Sequence, residues 1–201
     1  MKKINLSNQK TNNPHFIGSW NLENNSLCEE MISFFEENKK LQTAGSSGRG
    51  FDNKIKKTTD ITFKPRELSD LKFKCLNNYI AELYKCFADY RVQWPFLKNF
   101  VTDVDIGSFN IQKYCPGDHF ASTHTERSGL DSLHRVFAWM TYLNDVEDGG
   151  KTDFKHYDIK VKPEIGKTLI WPAEWTHAHA GEVLNSGVKY VITGWMDFPV
   201  N

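Results

Sequence analysis

The second half of the chain carries short apolar-rich runs that are typical of β-strands. Residues 107–114 (GSFNIQKY) place Phe109 and Ile111 on one face and end before the Pro116–Gly117 turn. Three further runs, rich in β-branched and aromatic residues, lie at 135–144, 167–172 and 188–198. Because no helical pattern separates these runs, they predict an antiparallel barrel or a double-sheet jelly roll.

The first hundred residues carry two helical patterns instead. Ser26 and Glu29 have the spacing of a capping box, and the apolar stripe that follows predicts a first helix ending near Lys39–Lys40. A longer stripe recurs at helical spacing from about Glu67 to Tyr90 and predicts a second helix. Both helices are amphipathic, so each is expected to pack one face against a sheet.

Together these patterns predict one domain of the α+β class, mainly β with flanking helices. Residues 1–100 are expected to form a helical support and residues 101–201 the β-rich core. The segment 43–60, between the two helices, is rich first in Gly and Ser and then in Lys, which predicts a mobile loop. Composition leaves open whether this loop is simply solvated or covers a site as a lid.

Composition then narrows the class of protein. The 201 residues include 25 basic and 25 acidic side chains, so no strong field favours nucleic acid or a membrane surface as a partner. No apolar run approaches the roughly 20 residues of a membrane span, and the N-terminal stretch lacks the apolar region of a secretory signal. The four cysteines form no C-x-x-C pair and are expected to be reduced thiols. A cytoplasmic protein is the resulting expectation.

Candidate metal ligands first occur in the stretch STHTERSG, as His124 and Glu126. Side chains two positions apart on an extended strand point to the same face, so both groups can reach one ion. A later segment, WTHAHAGEV, offers His177 and His179 as a third ligand, and strand geometry alone does not choose between them. Two histidines and one carboxylate leave coordination positions open, which suits non-haem Fe(II), although hydrolytic zinc sites use the same donors.

Lys189 is the other unusual residue of the late strands. It stands in GVKYVITGW among Val188, Val191 and Ile192. A lysine in such a strand either faces solvent on the outer wall or meets an anion inside the barrel. The strand pattern is compatible with both.

Five segments in a fixed order resemble the Fe(II)/2-oxoglutarate dioxygenases, and more closely their prolyl 4-hydroxylase branch with its compact phage and bacterial members. They are YCPGDHFASTHTE, RVFAWMTYLND, DGGKTDF, KPEIGKTLIWP and HAGEVLNSGVKYVITGW, within about residues 106–198. The resemblance implies a double-stranded β-helix core of the jelly-roll, cupin-like type. It also implies Fe(II), O₂, 2-oxoglutarate as co-substrate and ascorbate as reductant.

The resemblance also implies roles for individual residues. The H-A-G segment and a basic residue ten positions later select His179 as the distal metal ligand, beside His124 and Glu126. These three ligands form the catalytic centre. Lys189 is expected to bind the far carboxylate of 2-oxoglutarate, and Tyr114 to hydrogen-bond the same molecule. Further positions that line the co-substrate pocket are Tyr142, Thr193 and Trp195.

Glu126 departs from this branch, which usually has Asp as the carboxylate ligand. The longer side chain keeps the charge and the oxygen donor. Its carboxylate has to approach the iron from a backbone position that differs from that of an Asp ligand. Metal affinity and the location of the open coordination position therefore depend on how the extra methylene is accommodated.

The reaction implied is hydroxylation of a C–H bond, with a prolyl residue of a peptide or protein as substrate and 2-oxoglutarate decarboxylated to succinate and CO₂. Arg127, Trp139 and Trp175 are candidate substrate contacts, although a surface arginine or a core tryptophan is the commoner explanation for each. Two alternatives stay open. One is an oxygenase that acts on a free amino acid or another small metabolite, and the other is a non-catalytic barrel that binds a metal or ligand.

Overall fold

Two antiparallel sheets form the frame of the molecule, described in a computed structural model for residues 1–6, 14–46 and 50–199. Within these residues the strands are β1 (Lys2–Lys3), β2 (Gly18–Asn21), β3 (Thr43–Ala44), β4 (Thr59–Phe63), β5 (Asp105–Tyr114), β6 (Phe120–His124), β7 (Arg135–Tyr142), β8 (Thr152–Phe154), β9 (Ile159–Val161), β10 (Lys167–Pro172), β11 (His179–Gly181) and β12 (Lys189–Asp197). The α-helices are α1 (Asn25–Glu37), α2 (Lys74–Gln93) and α3 (Leu97–Phe100). Single-turn 3₁₀ helices lie at Lys39–Leu41, Pro65–Glu67, Leu71–Phe73, Leu130–Ser132 and Trp175–His177.

The larger sheet has eight strands in the order β1-β2-β10-β7-β12-β5-β4-β3, and the smaller has four in the order β6-β11-β8-β9. Neighbouring strands pair antiparallel throughout both sheets of the described chain. Consecutive strands alternate between the sheets from β5 to β8, as a jelly roll requires. The predicted fold class, mainly β with flanking helices, is confirmed.

The four predicted strands are confirmed in β5, β7, β10 and β12, whose ends differ from the predicted ones by at most two residues. Their apolar faces explain why they form. On the helix-facing side of the larger sheet, the Trp139 ring lies 5.7 Å from Tyr79 of α2 and 5.8 Å from Phe109, centroid to centroid. Aromatic burial of this kind is the main stabilising contribution to the core.

The N-terminal half differs from the expected helical support because it also supplies four strands to the larger sheet. In β2, Trp20 pairs with Thr168 of β10, and in β4, Ile61 pairs with Ile111 of β5. These strands are short, so their alternation is too brief to stand out in the sequence. Pairing with a long neighbour stabilises them in place of local propensity.

Both predicted helices exist, with shifted ends. The cap of α1 is Asn24, whose side chain accepts hydrogen bonds from the Leu27 amide and the Ser26 hydroxyl, so the expected Ser26 capping box does not form. The second helix begins only at Lys74, after two 3₁₀ turns, and continues to Gln93. Among the described helices, none is both long and apolar enough to cross a membrane.

The described part of the segment 43–60 contains strand and bridge pairings. Its ends lie in β3 and β4, where Thr43 pairs with Asp60. Lys57 exchanges both backbone hydrogen bonds with His119. Residues 47–49 of the expected loop lie outside the described residues. The described remainder lies beside β5 and the start of β6.

Candidate active site

A cavity of about 410 Å³ lies between the two sheets. Its walls come from β5, β6, β7, β8, β10, β11 and β12, and Lys56 and Ile55 close one side. The sequence places these strands far apart, and the sheet topology brings their inward faces together. The positions of the predicted site residues can therefore be described relative to this one cavity.

His124, Glu126 and His179 meet at this cavity, and one ligand atom from each lies within 4.8 Å of the others. His124 and His179 are directly paired residues of β6 and β11. Glu126 follows β6, and its Oε1 atom is 3.3 Å from Nε2 of His179 and 3.8 Å from Nε2 of His124. Three donor atoms thus converge on one point from two neighbouring strands.

Backbone carbonyls fix the tautomers of both imidazoles. Nδ1 of His124 lies 2.9 Å from the Ser122 carbonyl, and Nδ1 of His179 lies 2.9 Å from the His177 carbonyl. A carbonyl oxygen only accepts, so each Nδ1 carries the proton and donates it. In the neutral form of each ring the Nε2 lone pair is therefore directed at the shared point, which is the arrangement of histidine metal ligands.

His177 is excluded from this cluster by its own hydrogen bonds. Its Nε2 atom lies 2.9 Å from the His15 carbonyl, its Nδ1 atom is 3.0 Å from the Thr176 hydroxyl, and its ring packs on Tyr157. The structure therefore resolves the choice that the sequence left open between two histidines, since only His179 reaches Glu126.

The charge states of these groups suit a divalent cation. Burial would raise the pKa of Glu126, but the hydrogen bond and charge of His179 and the contacts with His124 and Trp195 lower it to about 2. Burial, together with the charge of His179, lowers the pKa of His124 to about 4, although Glu126 opposes the shift. The site therefore presents an ionised carboxylate with a neutral imidazole, the forms that bind metals.

Lys189 points into the cavity and not toward the outer wall. Its side chain is buried, with 3% of the residue exposed, and Nζ donates to the Gly150 carbonyl over 2.9 Å. Nζ also lies 4.0 Å from the centroid of the Tyr114 ring. Burial lowers the pKa of this ammonium to about 7, although Glu182 opposes the shift. Within the described residues no carboxylate contacts this ammonium directly, and such a buried cation is well suited to bind an anion.

Tyr114 lines the same cavity, but its hydroxyl is engaged by a neighbour. It donates to Oε1 of Gln112 over 2.8 Å, and the Gln112 amide approaches Asp60 at 3.4 Å. Asp60 in turn forms a buried ion pair with Lys56, with 2.6 Å between Nζ and Oδ2. Sequence reasoning missed Gln112, Asp60 and Lys56. The only available signal, a lysine four positions before an aspartate, lay in a segment that looked solvated.

Thr193 and Trp195 also line the cavity, as the resemblance implied, whereas Tyr142 does not. The Tyr142 hydroxyl donates to Thr152 Oγ1 over 2.6 Å and lies 3.2 Å from the Val161 carbonyl. Thr152 therefore stands between Tyr142 and the cavity, so the expected direct role of Tyr142 in co-substrate binding is corrected to support of Thr152.

The three candidate substrate contacts lie outside the cavity lining. Trp139 is fully buried in the helix-facing core. Arg127 is bound to Glu174 and to the Arg135 carbonyl. Trp175 is 68% exposed beside His156. The side chain that does reach the cavity from this region is Arg135.

Comparisons with known proteins agree with this geometry. Residues 109–197 match the model of the 2OG-Fe(II) oxygenase superfamily. A probable prolyl 4-hydroxylase 9 of Arabidopsis thaliana is 30% identical over 115 residues, which are 44% of this chain and 40% of that relative's length.

Solved structures show the same fold at low identity. A viral collagen prolyl hydroxylase from Paramecium bursaria Chlorella virus-1, in a 2OG complex, aligns with a TM-score of 0.66 at 15% identity, covering 90% of this chain and 95% of that one. A Pseudomonas putida prolyl-4-hydroxylase gives 0.69 at 15%, covering 92% and 94%. A prolyl hydroxylase from Trichoplax adhaerens gives 0.70 at 14%, covering 92% and 84%. Residues 109–197 therefore resemble the 2OG-Fe(II) oxygenase superfamily, and the chain has the jelly-roll fold of these prolyl hydroxylases.

Proposed function

We propose that this chain is an Fe(II)- and 2-oxoglutarate-dependent dioxygenase that hydroxylates a prolyl residue in a peptide or protein. In the proposed reaction, 2-oxoglutarate is decarboxylated to succinate and CO₂, and ascorbate maintains the iron in its reduced state. The observation that carries the proposal is that a three-ligand cluster and a buried lysine share one cavity. The family match of residues 109–197 supports the same reaction class.

The donor set fits Fe(II). Two imidazole nitrogens and one carboxylate oxygen converge from one side, and the cavity leaves the other side free for further ligands. Fe(II), when bound, supplies the one-electron and O₂ chemistry that protein side chains lack. The residues of this chain hold the ion, orient the co-substrate and exclude water.

Lys189 is proposed to bind the distal carboxylate of 2-oxoglutarate. Its ammonium lies deep in the cavity, and Thr152 and Tyr114 line the wall beside it. Apolar side chains of Met140, Trp171 and Val191 line the cavity between the polar groups. A dicarboxylate bound in this space meets a charge-assisted hydrogen bond at one end and the ion at the other.

A proline-containing peptide is proposed as substrate on the evidence of the relatives. The Trichoplax adhaerens protein was solved with a hypoxia inducible factor peptide fragment, and the Chlorella virus protein is a collagen prolyl hydroxylase. Both share the fold of this chain at low identity, so their peptides guide the choice of test substrates.

Succinate formation tests the reaction. The wild-type protein is incubated with Fe(II), ascorbate and 2-oxoglutarate, with and without proline-rich peptides, and is compared with His179→Ala. We expect succinate from the wild type only, and mass spectrometry should find one added oxygen atom on proline. Oxygen added only to free amino acids would replace the peptide substrate by a small molecule. Absence of succinate above the His179→Ala control would refute the proposal and favour a non-catalytic barrel.

A further inference from the structure

The carboxylate of Glu126 is divided between two partners. Oε1 faces the histidines, 3.3 Å from Nε2 of His179, whereas Oε2 accepts a hydrogen bond of 2.7 Å from the indole Nε1 of Trp195. Only one oxygen is thus directed at the point where the three ligand atoms converge. The other oxygen is held by a strand of the opposite sheet.

Arg135 contacts both residues of the Glu126–Trp195 pair. Its guanidinium carbon lies 3.7 Å from the centroid of the Trp195 ring, and its Nη1 donates to the backbone carbonyl of Glu126 over 2.8 Å. Its own carbonyl accepts from Arg127, which also pairs with Glu174. The backbone of Glu126 and the indole that binds its side chain are therefore attached to the same guanidinium.

We propose that Trp195, with Arg135 on its face, is a positioning residue that holds Glu126 in the rotamer that presents Oε1 to the metal. The inference rests on the proposed Fe(II) site and assigns a function to the tryptophan. Glu has one more rotatable bond than Asp, so an unanchored Glu126 loses more rotamer entropy when it binds an ion. The indole hydrogen bond fixes the side chain before the ion arrives.

The anchored oxygen also limits how the carboxylate binds. Oε2 is occupied by an N–H donor, and the arginine above the ring withdraws electron density from the indole, which strengthens that donor. Glu126 therefore binds through one oxygen, and the coordination positions that a bidentate carboxylate would fill stay available.

Metal titration of Trp195→Phe tests this role without reference to turnover. The probe is Co(II), monitored by calorimetry and by its visible absorption, which depends on ligand number and geometry. We expect Trp195→Phe to bind Co(II) about 10- to 100-fold more weakly than the wild type, the usual effect of removing a group that orients a metal ligand. We also expect its absorption spectrum to change as the second oxygen becomes free to bind.

Trp20→Phe is the matched control. Trp20 is fully buried and donates its indole Nε1 to Asp89 over 2.9 Å, in the core between the larger sheet and α2. Trp20→Phe therefore removes an indole–carboxylate hydrogen bond of the same type at a place away from the cavity. Its Co(II) affinity should stay within about twofold of the wild type. Comparable losses in both variants would identify a general packing effect and overturn the inference.

Two further variants separate the failure of this inference from the failure of the proposed function. If the wild type binds no Co(II), or if His124→Ala binds Co(II) as well as the wild type does, the metal site itself is refuted. If that binding is present and Trp195→Phe binds as tightly as Trp20→Phe with an unchanged spectrum, only the positioning role is refuted. Should Trp195→Phe fail to fold, Arg135→Met decides: weakening of about two- to fivefold supports the role, and unchanged affinity overturns it.

Discussion

Lys189 and Tyr114 are directly paired residues of β12 and β5, and the lysine ammonium lies 4.0 Å from the centroid of the tyrosine ring. The pair lines the cavity, and the Gly150 carbonyl is the one hydrogen-bond acceptor of Nζ among the described residues. An aromatic face and one carbonyl stabilise the cation incompletely. A bound dicarboxylate would complete its coordination.

Lys189→Met should therefore weaken 2-oxoglutarate binding while Co(II) binding is kept. Removing one partner of a buried charge pair typically costs 2–5 kcal/mol, which corresponds to a loss of roughly 30-fold or more. The measurement is calorimetric titration of the Co(II)-loaded protein with 2-oxoglutarate. Lys113→Met, which removes a strand lysine that pairs with Glu36 away from the cavity, is the control. Equal affinities in the two variants would contradict the assignment.

The same lysine should make the stability of the ligand-free protein depend on pH. Burial lowers the Lys189 pKa from 10.5 in the unfolded chain to about 7. Between these two values the unfolded state binds more protons than the folded state, so the free energy of unfolding rises with pH from about 7 to about 10.5. Below pH 7 both states carry the charge, and the destabilising effect of burial is complete.

Urea unfolding of the wild type and Lys189→Met between pH 6 and pH 9 measures this effect. The variant should be the more stable of the two at pH 6, and its advantage should shrink as the pH rises. With saturating 2-oxoglutarate the trend should weaken, since an anion keeps the lysine charged in the folded state. A stability difference that is constant across this range would show that Lys189 is charged and fully compensated in the free protein.

Shortening the carboxylate ligand should impair the site, although relatives of the prolyl 4-hydroxylase branch usually carry Asp there. Glu126 spans from the histidines to Trp195, with Oε1 at 3.3 Å and Oε2 at 2.7 Å from their partners. Asp is one methylene shorter and cannot keep both contacts from the same backbone position. Glu126→Asp should therefore bind Co(II) about tenfold more weakly than the wild type.

Glu126→Gln is the informative comparison for that variant, because it keeps the length and the acceptor for Trp195 but loses the charge. We expect it to bind Co(II) more weakly still. If Glu126→Asp binds as tightly as the wild type, the local backbone adapts freely to ligand length, and the extra methylene has no consequence for the site.

The sequence was most informative where a local pattern reports a local structure. Alternation located β5, and apolar runs rich in β-branched and aromatic residues located β7, β10 and β12. The brief strands β2 and β4 escaped detection since each depends on pairing with a core strand, β10 or β5, that lies more than forty residues away in the chain. Local propensity carries no information about such pairing.

In the candidate site, too, local sequence patterns indicated some residues but not the contacts between distant ones. His124, Glu126 and Lys189 stood out as unusual polar residues in strand segments, and the structure places all three at one cavity. The Glu126–Trp195 contact joins residues 69 positions apart, so no spacing rule indicates it. Tyr142 shows the opposite error: an aromatic residue in a site-like segment lies behind Thr152 and does not line the cavity.

The buried ion pair of Lys56 and Asp60 gives a last prediction, about the segment beside the cavity. Both side chains are about 5% exposed, and Thr58 Oγ1 donates to the second oxygen of Asp60 over 2.7 Å. Asp60→Asn leaves the lysine buried without a countercharge and should destabilise the protein by roughly 3–5 kcal/mol. Lys85→Met, which removes the exposed partner of Glu82, should cost less than about 1 kcal/mol.

The double variant Lys56→Met/Asp60→Leu separates the charge effect from packing. Replacing a buried ion pair with apolar side chains is often neutral or stabilising, because neither charge then has to leave water. Urea unfolding should therefore show that the double variant is markedly more stable than Asp60→Asn. If the double variant is as unstable as Asp60→Asn, the pair is needed for the local backbone structure of the segment and not merely for mutual neutralisation.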